Sequence, residues 1–298
     1  MSHRRILLLV LALLLTLAGA SGYIALDRWQ RATIFSVELG EQRWWREPVP
    51  GTEVFDLELD NGDRVRAWYL GQPDPGAPAV LYLHGARWNL NGSVFRMERW
   101  HEMGFAVLAV DYRGFGESTP RLPSQASAVE DARAGWEALK QRQPDPARRF
   151  IYGHSLGGAV AAQLASRAGM DDFAGLVLDA TFTNIRDMLA TTDWSRVPGL
   201  PLLITQPFDT LTAVGRVQRP LLVLHGTADR VIPEAMGTAL HEAGPQAPPS
   251  RYVRIAGASH SGASRNPAYE EAVQDFVRQA SEAYASQDGR PARAGQAS

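Results

Sequence analysis

The chain has 298 residues, enough for one large domain or two small ones. A hydrophobic share of 45% and a charged share of 21% are those of a globular protein, and a formal net charge of −2 leaves no electrostatic footprint for nucleic acid. There are no cysteines, which excludes disulfides, thiolate catalysis, thiolate metal sites and a lipoprotein cysteine.

Ser2-His3-Arg4-Arg5 is a basic start to an apolar run from Ile6 to Leu26. The run is about 21 residues, enough to cross a bilayer as an uncleaved signal anchor. Asp27, Arg28, Trp29 and Arg31 would then mark the outer interface. Ala18-Gly19-Ala20 offers the other reading, a signal peptide cleaved after small residues. In both readings the positive residues stay in the cytoplasm and the rest is exported. In a bacterial cell that means an inner-membrane protein with its domain on the periplasmic side, or a secreted one after cleavage. Residues 27–50 read as a linker or collar, with Trp44-Trp45-Arg46 either packing on the domain, the preferred reading, or sitting near the head groups as interfacial aromatics do.

Glu53 to Leu59 and Arg64 to Leu70 alternate with period two around an Asn61-Gly62 turn, which predicts an antiparallel hairpin. The pattern then changes. Ala79 to Leu83, Ala106 to Val110, Leu176 to Leu178 and Leu221 to Leu224 are continuously apolar, as strands covered on both faces should be. Helical stretches fall between them, roughly Ser93 to Met103, Gln125 to Arg142 and Glu234 to Ala243. Arg251 to Ile255 reads as a last strand and Pro267 to Tyr284 as an amphipathic helix. The alternation predicts an α/β domain over 51–285, a doubly wound, mostly parallel sheet with the antiparallel hairpin at its start. Residues 286–298, small and polar, read as a disordered tail.

One turn organises the chemistry. Gly153-His154-Ser155-Leu156-Gly157 has the Gly-x-Ser-x-Gly pattern of a nucleophile elbow. A short strand, Arg149 to Tyr152, precedes it, and an Ala-rich helix from Ala159 to Ala165 follows. That order would hold Ser155 at a sharp turn with its hydroxyl projecting, at the positive end of the helix. A serine hydroxyl needs a base within reach, and the base needs an orienting acid. In an open α/β sheet such groups gather beyond the carboxyl ends of the strands.

Asp229 lies in the loop after the Leu221–Leu224 strand, and His260 in the loop after the Arg251–Ile255 strand. The order Ser155, Asp229, His260 is that of a Ser…Asp…His triad. Asp111 and Asp179 also end strands and compete for the acid role, but read better as loop braces. His84 and His225 precede glycines and would order loops; His101 and His241 read as exposed helix positions. The oxyanion of an attacked carbonyl needs backbone N–H donors, expected from Leu156 and from Ala86 in the loop after Leu83. No acidic or histidine cluster has metal-ligand spacing and no Gly-rich phosphate loop is present, so no cofactor is expected.

His84-Gly85, Asp111-Tyr112-Arg113-Gly114-Phe115-Gly116-Glu117-Ser118, the elbow, His225-Gly226-Thr227-Ala228-Asp229 and Ser259-His260 together resemble the α/β-hydrolase superfamily. The chain looks most like membrane-anchored serine hydrolases related to ABHD-type lipid and acyl-protein hydrolases. The resemblance runs from about Val54 to Phe276 and implies an α/β-hydrolase fold and cleavage of a small-molecule or acyl ester or thioester. Members with a Gly-Asn-Ala-Gly-Asn-like loop differ from the Ala86-Arg87-Trp88-Asn89-Leu90-Asn91 found here, which bears on the second oxyanion donor. The family's cap falls at about 181–219, where this chain is short and apolar around Leu200-Pro201-Leu202-Leu203-Ile204. A short cap implies an open site that takes acyl chains or amphiphiles. The alternatives are a peptidase of the same fold and a non-catalytic envelope binding protein.

Overall fold

The computed structural model describes residues 3–39, 44–167, 169–246 and 248–287. Eight strands form one sheet: β1 (Glu53–Glu58), β2 (Arg64–Leu70), β3 (Ala79–Leu83), β4 (Ala106–Val110), β5 (Arg149–His154), β6 (Gly175–Asp179), β7 (Leu221–Gly226) and β8 (Arg251–Ile255). Their spatial order is β1-β2-β4-β3-β5-β6-β7-β8. The first two pairings, β1 with β2 and β2 with β4, are antiparallel, and all later ones are parallel. This is the α/β-hydrolase fold in its mixed, mostly parallel form.

The continuous apolar character of β3 to β7 has a direct cause. Successive side chains alternate between two cores. Leu81, Leu108, Ile151, Leu176 and Val223 face one, closed by helices α3 (Gln125–Arg142), α4 (Leu156–Ala165), α6 (Thr210–Val214) and α7 (Glu234–Ala243). Tyr82, Val107, Tyr152, Val177 and Leu224 face the other, closed by α2 (Val94–Glu102) and α8 (Pro267–Gln287). Helix α3 starts at a reciprocal cap: Ser124 Oγ accepts from Ser127 N at 3.1 Å, and Ser127 Oγ accepts from Ser124 N at 2.9 Å.

The segment between β6 and β7 is compact. It holds α5 (Ile185–Ala190), two short 3-10 turns, Asp193–Arg196 and Leu200–Leu203, and then α6. Its return limb is tied to the start of α3, where Gln125 N donates to Gln206 Oε1 at 2.8 Å and Phe208 N donates to Gln125 Oε1 at 2.7 Å.

The N-terminal helix α1 (His3–Phe35) does not stop at Leu26, where the sequence suggests a collar begins. It runs nine residues further, and its last turns lie on the domain. Asp27 Oδ1 accepts from Gln206 Nε2 at 2.9 Å, and Arg31 Nε donates to Pro123 O at 2.8 Å. Gln30 spans both ends of a short cap stretch: its Nε2 donates to Leu203 O at 2.7 Å and its Oε1 accepts from Thr205 N at 2.9 Å. Phe35 is buried against Phe115 and Phe208. The polar residues after Leu26 therefore serve as helix-to-domain contacts. Further along the expected collar, Arg46 N donates to Asn91 O at 3.1 Å; residues 40–43 lie outside the described ones. At the other end, α8 continues to Gln287, and residues 288–298 of the expected tail lie outside the described residues.

Candidate active site

Three loops meet at the carboxyl end of the sheet, one each from β5, β7 and β8. The β5 loop is the tightest. Ser155 sits at φ 55°, ψ −123°, an unfavourable conformation for a residue with a side chain. It is held there by Ser155 N donating to Asp179 O at 2.9 Å and by Thr181 Oγ1 donating to Ser155 O at 2.6 Å. The two flanking glycines are needed for space. A Cβ on Gly153 would lie 2.2 Å from Gly157 O, and one on Gly157 would lie 2.1 Å from Leu83 O.

The structure brings Ser155, Asp229 and His260 together. His260 Nε2 lies 3.1 Å from Ser155 Oγ, and His260 Nδ1 lies 2.8 Å from Asp229 Oδ2. The Asp229 carboxylate is fully enclosed. Its second oxygen accepts from Val231 N at 2.8 Å and Ile232 N at 3.0 Å. Burial alone would raise its pKa; hydrogen bonds from His225, His260 and Ile232 N–H outweigh burial and hold it well below the usual carboxylate range. His225 Nε2 stands 3.0 Å from Ile232 O and 3.5 Å from Asp229 Oδ2. Burial opposes its protonation, but those two partners prevail and raise its pKa.

The other two strand-end aspartates are engaged elsewhere. Asp179 Oδ2 accepts from Tyr152 Oη at 2.8 Å. Asp111 Oδ1 accepts from Leu90 N at 2.9 Å and lies 3.3 Å from His84 Nε2. Both members of the Asp111–His84 pair are buried. Burial raises the Asp111 carboxyl to about 8 and lowers His84 to about 4, so a neutral pair sharing one proton is favoured over an ion pair. His84 Nδ1 faces Gly85 O at 2.7 Å and so carries a hydrogen, which leaves Nε2 unprotonated in the neutral ring.

The two expected oxyanion donors sit beside the serine in the chain and in space. Leu156 opens α4 immediately after Ser155. Ala86 lies in the loop after β3 and lines the same cleft as Ser155, and a Cβ on its neighbour Gly85 would be 3.3 Å from Ser155 Cβ. This loop is braced by the end of α1: Arg87 N donates to Phe35 O at 2.8 Å, and Glu38 N donates to Arg87 O at 3.0 Å.

A second buried contact behind the site is absent from the motif reading. Arg96 of α2 lies with Nη2 3.1 Å from His154 Nε2, and the same His154 nitrogen is 2.9 Å from His260 O. Burial and the Arg96 charge both keep His154 neutral. An arginine on an amphipathic helix carries no sequence signal for this role. His101 and His241 are half-buried, not exposed; His101 Nε2 faces Gly71 O at 3.0 Å. The cleft over Ser155 and His260 has a volume of about 830 Å³. Arg87, Arg96 and Arg230 line it, and among the described residues no carboxylate does. Among the described residues, no group of three or more His, Asp or Glu is arranged to hold a metal ion.

A family model described as serine aminopeptidase, S33, matches residues 75–211. An uncharacterized protein of Mycobacterium tuberculosis is 31% identical over 268 residues, covering 88% of this chain and 91% of that one. The chain belongs to the α/β-hydrolase superfamily. It is a hydrolase of this superfamily related to the ABHD-type members. Lysophosphatidylserine lipase ABHD12 of Xenopus tropicalis is 29% identical over 234 residues, covering 70% of this chain and 60% of that protein. Among solved structures, the Pyrococcus furiosus esterase Pf2001 superposes with a TM-score of 0.62 at 18% identity, covering 81% of this chain and all of that one. A puromycin-hydrolyzing peptidase of Mycobacterium tuberculosis superposes with a TM-score of 0.60 at 20% identity, covering 83% of this chain and 41% of that one. At such identities these two similarities speak for the fold.

Proposed function

We propose that this hydrolase cleaves carboxylic ester or thioester bonds through a covalent acyl-enzyme, with Ser155, His260 and Asp229 as its catalytic triad. One observation carries the reading: the continuous path from Asp229 Oδ2 to His260 Nδ1 at 2.8 Å and from His260 Nε2 to Ser155 Oγ at 3.1 Å. In the first step Ser155 Oγ attacks the acyl carbon and its proton passes to His260 Nε2. Asp229 holds the ring in the tautomer with hydrogen on Nδ1 and stabilises the imidazolium that forms. The N–H groups of Leu156 and Ala86 receive the developing oxyanion. His260 then gives its proton to the leaving alcohol or thiol. Water repeats the sequence in reverse to release the acid and restore Ser155.

The substrate is an acyl ester presented at a membrane. Helix α1 is long and apolar enough to span a bilayer, which supports an anchored enzyme with its domain exported. The lipase name of the frog relative and the guanidinium groups of Arg96 and Arg230 in the cleft support an acyl chain attached to an anionic head; Arg87 is paired with Glu38, its Nε 3.3 Å from Glu38 Oε1. The peptidase reading draws on the description of the matching family model. It requires a partner for a free N-terminal ammonium, and the described residues that line the cleft offer no carboxylate.

The test is fluorophosphonate labelling of the full chain beside Ser155→Ala and His260→Ala, with turnover of para-nitrophenyl esters of graded acyl length and of aminoacyl nitroanilides. Labelling and ester turnover lost in both variants is the expected result. Folded wild-type protein that neither labels nor turns over esters would overturn the reading. Preferential turnover of the nitroanilides would replace it with the peptidase.

A further inference from the structure

Most exposed apolar side chains on a protein surface are scattered and need no explanation. Those of the cap are not scattered. Trp194 is 53% exposed, Val197 43%, Leu202 80% and Leu203 53%, all within ten residues of chain. They are linked by consecutive turns, with Val197 N donating to Trp194 O at 3.1 Å and Leu202 N donating to Gly199 O at 3.0 Å. The patch continues onto α1: Trp29, itself 42% exposed, packs edge-on against Trp194 with ring centroids 5.5 Å apart. At the next residue, Gln30 Nε2 donates to Leu203 O at 2.7 Å.

We propose that this face, formed by Trp29, Trp194, Val197, Leu202 and Leu203, is a second membrane contact that seats the cap in the head-group layer of the bilayer crossed by α1. The proposal rests on the reading of α1 as a membrane anchor. The height of the patch argues for lipid as the occupant. With the hydrocarbon boundary at Leu26, Trp29 stands about 4.5 Å beyond it along the helix and Gln30 about 6 Å. The polar layer of a bilayer is roughly 5–8 Å deep on each side. Trp194, against Trp29, and Leu203, against Gln30, thus lie in that layer.

The chemistry of the patch suits the depth. Tryptophan is favoured at the interface, where one part of the ring meets acyl chains and its N–H meets head groups. The charged residues among these turns, Asp193 and Arg196, are 91% and 84% exposed and lie 3.5 Å apart, so they remain in the wet zone without a dehydrated lone charge. A partner protein would have to cover the same surface while sharing it with the lipid around α1.

The absence of native cysteine makes the experiment direct. The full chain carrying Leu202→Cys, Leu203→Cys, Thr16→Cys or Gln274→Cys is labelled with an environment-sensitive nitrobenzoxadiazole dye. It is then reconstituted in vesicles of phosphatidylcholine and phosphatidylglycerol, with and without lipid carrying a doxyl quencher near the head group. Thr16 is mid-helix in α1, and Gln274 is exposed on α8, across the sheet from α1. The expected result is roughly twofold or greater quenching of the labels at 202 and 203, quenching of the Thr16 label with a mid-chain quencher, and no change at 274. Quenching at 16 without quenching at 202 or 203 would overturn the docking and leave the anchor standing. No quenching at any position would overturn the anchor and the docking together. A blue-shifted label at 202 that lipid does not quench would assign the patch to a protein surface, such as a second copy of the chain, and overturn the bilayer as occupant.

Discussion

Replacing Asp229 with asparagine tests the proposed mechanism at a single atom. Asp229 Oδ1 accepts two backbone hydrogens, from Val231 N at 2.8 Å and Ile232 N at 3.0 Å. In Asp229→Asn the amide oxygen keeps that place, because both neighbours can only donate. The amide nitrogen then replaces Oδ2, 2.8 Å from His260 Nδ1, and offers a hydrogen there. Nδ1 must accept, so the ring's own hydrogen moves to Nε2, which faces Ser155 Oγ at 3.1 Å. A protonated Nε2 cannot take the serine's proton. The expected cost is about 10⁴-fold in kcat, or about 5.5 kcal/mol of transition-state stabilisation, with KM little changed. Steady-state hydrolysis of para-nitrophenyl acetate measures it, with circular dichroism to confirm the fold. A folded variant that keeps more than about a tenth of the wild-type kcat would refute Asp229 as the orienting acid and direct attention to Asp179.

The Asp111–His84 pair predicts how stability responds to pH. Burial raises the Asp111 carboxyl from 3.8 to about 8, so its contribution is full below the unfolded value and is lost as pH rises through 8. Asp111→Asn removes the titrating carboxyl while leaving an oxygen to accept from Leu90 N–H, and urea melts at pH 5, 7 and 9 should show a smaller loss of stability between pH 5 and 9 than in the wild type; an unchanged slope would assign the loss to other groups. Gln30→Leu removes the hydrogen bonds that Gln30 makes to the cap, at Leu203 O, Thr205 N and Thr205 Oγ1, and leaves the one between Asp27 and Gln206. It should cost about 1–3 kcal/mol and lower Tm by several degrees in the full chain, and an unaltered Tm would mean that these bonds contribute nothing net.

The parts of the fold that were legible in the sequence share a physical reason. Strands β3, β4, β6 and β7 are buried on both faces, so burial prints a short apolar run that stops at a polar residue or glycine, His84, Asp111, Asp179 or His225-Gly226. The elbow is readable because a serine at φ 55° between two crossing backbones tolerates little but glycine beside it. What escaped depends on partners far along the chain. The polar stretch after Leu26 has the composition of a linker, and only the contacts of Gln30 with Leu203 and of Arg31 with Pro123 make it the end of a helix. Arg96 is as hidden: nothing near it in sequence reveals His154, 58 positions later. The short 3-10 turns of the cap carry no periodicity from which to read them.

The order of strands also sets a sequence of events in time. Ser155 follows β5, in the middle of the sheet, whereas His260 follows β8, the edge strand that pairs only with β7. A chain emerging from its N-terminus presents Ser155 more than a hundred residues before His260, and the partners that hold the elbow, Asp179 O and Thr181 Oγ1, also precede His260. Until β8 has docked, Ser155 lacks the imidazole proposed to activate it. Under the proposed triad, the hydrolase becomes competent only when its last strand closes the sheet.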